Sequence, residues 1–179
     1  MIKDTVKQAL QDLFPEPEPV VEEVVAPPAD DDADAKKPAK KKEEPRLNGV
    51  IERDHAQYGY DIDVQLDPGE LLAAVMILDK AGFFLECVTG VDWMKEKQLE
   101  AVYDFSRYDF DLCRVVIRTR TDRSDPKVPT ISKIYPGAGW HERETHDFFG
   151  IKFEGHPHLI PLLLPEDADF HPLLKDFKP

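Results

Sequence analysis

The sequence predicts an α+β fold: an antiparallel or mixed sheet covered by helices on one face, with an irregular proline-rich C-terminal tail. Three observations carry this expectation. Between Phe83 and Tyr135 run four strand-like apolar segments, FFLECVTGV, LEAVYDF, LCRVVIRT and VPTISKIY. Links such as EKQ and SRYDFD are too short for crossover helices, which favours antiparallel pairing. Beyond Gly150, Pro157, Pro161, Pro165, Pro172 and Pro179 leave no room for a long regular element.

The elements follow in order. Residues 1–14, MIKDTVKQALQDLF, place Ile2, Val6, Ala9, Leu10 and Leu13 at helical spacing, an amphipathic helix that needs a surface to lie on. That surface is either its own domain or a neighbouring chain. Residues 15–47 change character abruptly: prolines recur, acids come first, and a lysine run from Lys36 to Lys42 follows. With no periodic apolar face to bury, the segment reads as a disordered charged linker spanning on the order of 30 Å.

Residues 48–150 form the expected core domain. Tyr58 to Leu66, YGYDIDVQL, alternates as a half-buried strand does. In DPGELLAAVMILDKAG, Asp67 caps, Pro68 suits the first helical position and Glu70 completes a capping box. Leu71, Leu72, Val75, Met76 and Leu78 form the apolar face, and Gly82 ends the helix. PGAGWHERETHDFFG predicts a short helix stopped by Gly150. Residues 151–179 are expected to run as an extended tail along a surface, their own or a partner's.

Charge and cysteine usage exclude several functions. A formal net charge of −13 and a pI near 4.8 argue against nucleic acid and against anionic headgroups, both of which need a basic face. Cys87 and Cys113 are isolated, unlike a disulfide framework, a zinc knuckle or an iron–sulfur motif. No signal-peptide pattern opens the chain, and no apolar run approaches the ~20 residues a bilayer requires. Any membrane association is therefore expected to be indirect.

The densest chemistry lies in residues 140–157, WHERETHDFFGIKFEGHP. A zinc-protease helix needs histidines four apart, whereas His141 and His146 are five apart, splayed by roughly 140° on a helix. His156, His158 and His171 with Asp167 or Asp169 are a second conceivable ligand set, but histidines beside prolines more often bond backbone. Glu142 and Glu144 point to different sides of a helix, which does not suit an acid–base pair. Arg143 and Asp147 stand at i and i+4 and are expected to pair on the helix surface. A nucleophile elbow, a Walker loop and a dinucleotide fingerprint are all missing. The residues themselves offer no catalytic machinery complete within one chain.

The same stretch resembles a known family. Trp140, Glu142, Arg143, Glu144, Asp147, Phe149, Gly150 and Ile151 are similar to the signature of the thirty-kilodalton subunit of respiratory complex I, the C subunit of NADH-quinone oxidoreductase. The resemblance continues through Gly155-His156-Pro157, Leu163-Leu164-Pro165-Glu166-Asp167 and His171-Pro172, then Lys175-Asp176-Phe177. Upstream, Gly82-Phe83, Val88-Thr89-Gly90-Val91-Asp92 and Val102-Tyr103 match its looser pattern, so the likeness covers residues 48 to 179. It implies a non-catalytic structural subunit of the hydrophilic arm, peripheral on the cytoplasmic face of the cell inner membrane. Such a subunit carries no cofactor; flavin, iron–sulfur clusters and quinone belong to partner subunits. It packs on the quinone-site subunit, and the signature residues are then fold and interface residues. Two departures stand out. Ile160 and Pro161 replace two basic residues of the family, and Leu174 replaces an arginine. Related subunits serve membrane-bound nickel-iron hydrogenases and F420-linked dehydrogenases, which are the alternative.

Overall fold

The computed structural model describes residues 2–14, 48–109 and 112–178; the linker expected over 15–47 lies outside them. In chain order the elements are α1 (Ile2–Gln11), β1 (Gly49–Glu52), α2 (His55–Tyr58), β2 (Ile62–Leu66), α3 (Leu71–Lys80), β3 (Phe84–Trp93), β4 (Gln98–Arg107), β5 (Cys113–Asp122), β6 (Lys127–Pro129), α4 (Ala138–Phe149) and β7 (Lys152–Glu154). Five strands form one sheet in the order β1-β2-β5-β4-β3, and β6 pairs with β7 in parallel. The short links behave as expected: β3–β4 and β4–β5 are antiparallel. The β2–β5 pair is parallel, because β3, β4 and α3 intervene in the chain. The sheet is therefore mixed.

Register assigns the two faces. Ile62 lies opposite Val115, Val64 opposite Ile117, and Tyr103 opposite Ile117 on the other side. These residues, with Leu66, Leu99, Ala101 and Phe105, turn to one face and join the core. Helices cover that face: Val6 and Leu10 of α1, Leu71, Ala74, Val75 and Leu78 of α3, and Ala138 of α4 all belong to the same cluster.

Among the described residues no long helix covers the opposite face, which is roofed by arginines. Arg118 Nε binds Asp63 at 3.1 Å, and Arg120 Nε binds Glu100 at 2.9 Å. Trp93 Nε1 donates to the same carboxylate at 3.0 Å, and the Arg120 guanidinium stacks 4.2 Å over the Trp93 ring. Asp63 and Glu100 are only 3% and 2% exposed, so removing either arginine would leave a buried charge short of a partner.

Local differences from the sequence reading have local causes. The expected strand from Tyr58 begins only at Ile62, because Asp54 caps a helical turn through Ala56 N at 3.0 Å and Gly59 ends it at φ +80°. The capping box forms between Asp67 and Glu70 as expected, but it opens a 3-10 turn over Pro68–Glu70 before α3. Leu72 and Met76, expected to face inward, are 39% and 46% exposed, and Ala74 takes the inner row with Leu71, Val75 and Leu78. Those four follow the i, i+3, i+4, i+7 stripe that a helix buries. The segment expected to be one strand over Val128–Tyr135 pairs only through Pro129, after which Ile134 and Tyr135 fold back onto the Ile131 carbonyl. The tail holds one regular piece, β7, whose Phe153 is buried.

The first helix packs on its own domain. Val6 and Leu10 are buried, and Lys3 and Lys7 reach Glu52 at 2.8 and 2.7 Å. The hydrogen bonds from Lys3 and then Lys7 pull the Glu52 carboxyl down to about 2. Truncating Leu10 to alanine should accordingly cost about 2–5 kcal/mol of stability. Urea denaturation of the full chain checks this, and a loss under ~0.5 kcal/mol, typical of surface positions, would show that α1 is not part of the core.

Candidate functional site

Helix α4 carries the cluster of Glu142, Arg143, Glu144 and Asp147, and its side chains hold the C-terminal tail. Gly150 ends it, with φ +78° and its N–H on the His146 carbonyl at 2.8 Å. A β-carbon there would stand 2.7 Å from His171 Nε2, so glycine is required twice over.

Asp147 is the centre of the arrangement. Its Oδ2 accepts three consecutive backbone N–H groups, from Leu162 at 2.8 Å, Leu163 at 2.7 Å and Leu164 at 3.2 Å. Successive amides curled around one oxygen form an anion nest. Burial alone would push the Asp147 carboxyl up, but the bonds from Leu163, Leu162 and Leu164 outweigh it and hold the group below its ordinary value. One turn earlier, Arg143 donates from Nε to the Ile160 carbonyl and from a terminal nitrogen to the Pro161 carbonyl, both at 2.9 Å. The expected Arg143–Asp147 pair on the helix surface is thus corrected. Both side chains reach the tail, where complementary backbone donors and acceptors offer more bonds than each other's ends do.

The rest of the tail is fixed the same way. His171 Nδ1 donates to the Asp147 carbonyl at 2.8 Å, and Leu173 N donates to the Phe148 carbonyl at 3.1 Å. Asp92, at the end of β3, accepts Lys175 N at 2.8 Å and both Nε and a terminal nitrogen of Arg123, at 3.0 and 3.2 Å. Arg123 then bonds Asp176 at 2.5 Å. Phe177 stacks on Phe170 with ring centres 5.5 Å apart. These bonds fasten the backbone of the tail to its own domain.

Glu142 is a different device. It is fully buried, and its carboxylate accepts Thr130 Oγ1 at 2.5 Å and Ile131 N at 2.8 Å. Taking the Ile131 amide is what pulls the chain off the strand after Pro129. Burial raises the Glu142 carboxyl to about 7, with the Thr130 and Ile131 bonds opposing. His156 Nε2 lies 3.9 Å away and bonds the Gly139 carbonyl at 3.1 Å. Glu144, two residues on, is exposed, as the helix geometry requires. Phe149 lies over Gly90 of β3 so closely that a β-carbon there would meet the ring at 2.3 Å.

The remaining signature residues sit outward. Trp140 is 62% exposed with the Arg143 guanidinium 5.3 Å from its ring, and Pro157, Pro165, Glu166 and Asp167 are exposed. Pro172 is half-buried beside His171. His146 and His171, like His156, aim a ring nitrogen at a backbone carbonyl. Among the described residues no three His, Cys, Asp or Glu side chains converge as a metal site would require. Arg123 and Thr130 escaped sequence reasoning. Their partners lie 31, 53 and 12 residues away, and nothing local marks them.

The profile of the family described as respiratory-chain NADH dehydrogenase, 30 Kd subunit, matches residues 64–179. The C subunit of an NADH-quinone oxidoreductase from Roseiflexus sp. is 36% identical over 126 residues, which span 68% of this chain and 72% of that one. The C subunit of an F(420)H(2) dehydrogenase from Methanosarcina mazei is 39% identical over 92 residues, 51% of this chain and 58% of that one. Among solved structures, a chain of the membrane-bound sulfane sulfur reductase, an archaeal respiratory membrane complex, superposes with a TM-score of 0.59 at 29% identity, over 65% of this chain and 71% of that chain.

The buried Glu142 makes a pH prediction with a definite sign. Its folded value lies above its ordinary 4.5, so the stability it contributes is full below about pH 4.5 and is lost as pH rises through about 7. The loss is at most about 3 kcal/mol, since one unit is worth about 1.4 kcal/mol. Glu142→Gln should therefore gain about 1–3 kcal/mol relative to wild type between pH 5 and pH 8. Denaturant curves at the two pH values check this, and a difference that does not change with pH would show that Glu142 ionises freely.

Proposed function

The chain belongs to the respiratory-chain NADH dehydrogenase 30 Kd subunit family, and we propose that it serves as a non-catalytic structural subunit in the hydrophilic arm of a proton-translocating NADH:quinone oxidoreductase. In this reading it supports the quinone-site subunit while electrons pass from NADH to quinone. It holds no cofactor itself; flavin, iron–sulfur clusters and quinone sit in its partners. It lies at the cytoplasmic face of the inner membrane and reaches the bilayer only through those partners. Among the described residues no helix is long and apolar enough to cross a membrane.

The tail clamp is the observation that supports this reading best. Asp147, Arg143 and Asp92 bind backbone groups of the tail, which leaves several of its apolar side chains outward. Ile160, Leu163, Phe170 and Leu173 are 43%, 61%, 40% and 52% exposed, all within residues 160–173 of the tail. A tail fixed by its backbone while presenting apolar side chains is suited to being covered by another protein. A second reading, the equivalent subunit of an F420-linked dehydrogenase or a nickel-iron hydrogenase, is favoured by the 39% identity to the Methanosarcina protein.

Purifying the tagged chain from membranes in mild detergent tests both readings. Flavin and iron–sulfur subunits with NADH:quinone activity are the expected result; a nickel-iron or F420-reactive partner would shift the chain to the second reading. A chain that purifies alone would overturn both.

The clamp itself predicts an assembly phenotype. Asp147→Ala strands three amides, and Arg143→Ala frees two carbonyls, costing about 1–3 kcal/mol for each buried group left unpaired. Each variant should lower the amount of assembled complex, while the residual complex keeps its turnover per flavin. Full assembly with slowed turnover would contradict the structural role.

A further inference from the structure

Beside the clamp opens a groove of about 390 Å³ that the tail does not fill, between the residues before α4 and the turn after β7. Its apolar lining comes from Trp140, Pro136 and Pro157, all exposed. Its charged lining is of one sign: Lys133 and Arg143, with His156 and His158 beside them. The nearby acid, Glu142, is fully buried and turned to Thr130 and Ile131.

The two cations have bonding capacity to offer. Arg143 gives the tail its Nε and one terminal nitrogen, and its other terminal nitrogen has no partner among the described residues. Lys133 is exposed and in no ion pair among the described residues. On a chain of net charge −13, a groove lined by cations selects an anionic occupant. The positive end of α4, which starts at Ala138, adds to the same field.

The occupant's size follows from continuity. Arg143, which lines the groove, also bonds the carbonyls of Ile160 and Pro161, so the groove lies next to the start of the tail, where Ile160 is exposed. A ligand that used both would be an extended polypeptide rather than a small anion. We propose that this groove receives an acidic segment of a partner subunit, with an Asp or Glu carboxylate between Lys133 and Arg143 and an apolar neighbour on the Trp140 indole. A carboxylate matches the guanidinium's free edge, and an indole with a guanidinium stacked on it takes an apolar or aromatic side chain. The proposal rests on the reading of this chain as a subunit and names the chemistry of one contact within the complex.

Carbodiimide coupling tests it on the intact complex isolated through the tagged full chain. The reagent adds to a carboxylate to give an O-acylisourea; the Lys133 amine, if in contact, attacks its acyl carbon and expels the urea, and peptide mass spectrometry locates the resulting amide. The expected result is Lys133 joined to an Asp or Glu of a partner subunit. Lys133→Gln should abolish that product while the partner still co-purifies, and Lys133→Glu should lower partner retention at moderate salt on the order of tenfold, the effect of about 1.4 kcal/mol. An intact complex in which Lys133 is unlinked, or linked only within its own chain, overturns the groove proposal and leaves the subunit reading standing. A chain that comes off membranes alone overturns both.

Discussion

A single carboxylate oxygen organises the C-terminal tail of this chain. Asp147 Oδ2 gathers the amides of Leu162, Leu163 and Leu164 into one nest. Charge-assisted bonds of this kind are stronger than neutral ones, and here three converge on one acceptor. Without them a stretch with prolines at 157, 161 and 165 has no ladder to join, and its amides would have to find water. The other tail contacts are arranged around this point: Arg143 takes the carbonyls just before it, and His171 returns to the backbone carbonyl of Asp147 itself. Asp92 and Arg123 then fix the far end against the edge of β3. The tail is thus fastened to the domain largely through its backbone, with the His171 ring and Asp176 adding side-chain bonds, and Leu163 and Leu173 stay exposed.

The sheet explains how so short a chain supports this. One face is an apolar core under α1, α3 and α4, and it holds α4 by Ala138 and by Phe149 over Gly90. The other face carries no long helix among the described residues, yet its carboxylates Asp63 and Glu100 are almost fully buried beneath Arg118 and Arg120. A second layer of helices is replaced by long side chains whose aliphatic stems cover the strands while their heads pair. The core face positions α4, and α4 positions the tail.

Much of the fold was legible in local chemistry. The capping box of Asp67 and Glu70, the stop at Gly150 and the strands β3, β4 and β5 each follow from residues within a few positions of one another. Competing contacts, some local and some distant, set the outcome elsewhere. Alternation over YGYDIDVQL suggested a strand from Tyr58, but Asp54 and Gly59 close a helical turn first. VPTISKIY has strand composition, but Glu142 captures the Ile131 amide. The candidate site was legible as a cluster and not as a mechanism. Helical spacing permits Arg143 to meet Asp147, and only the folded tail shows that each has better partners 15 to 18 residues away. The Asp92–Arg123 contact has no local signal at all.

The most direct measurement is amide hydrogen exchange across the tail in the purified full chain. If the Asp147 nest holds the tail, the amides of Leu162, Leu163 and Leu164 will exchange as slowly as those in the last turn of α4. In Asp147→Asn they will speed up together while the β4 amides stay protected. Exchange of these three amides at the rate of an unstructured peptide in the wild-type chain would contradict the tail clamp.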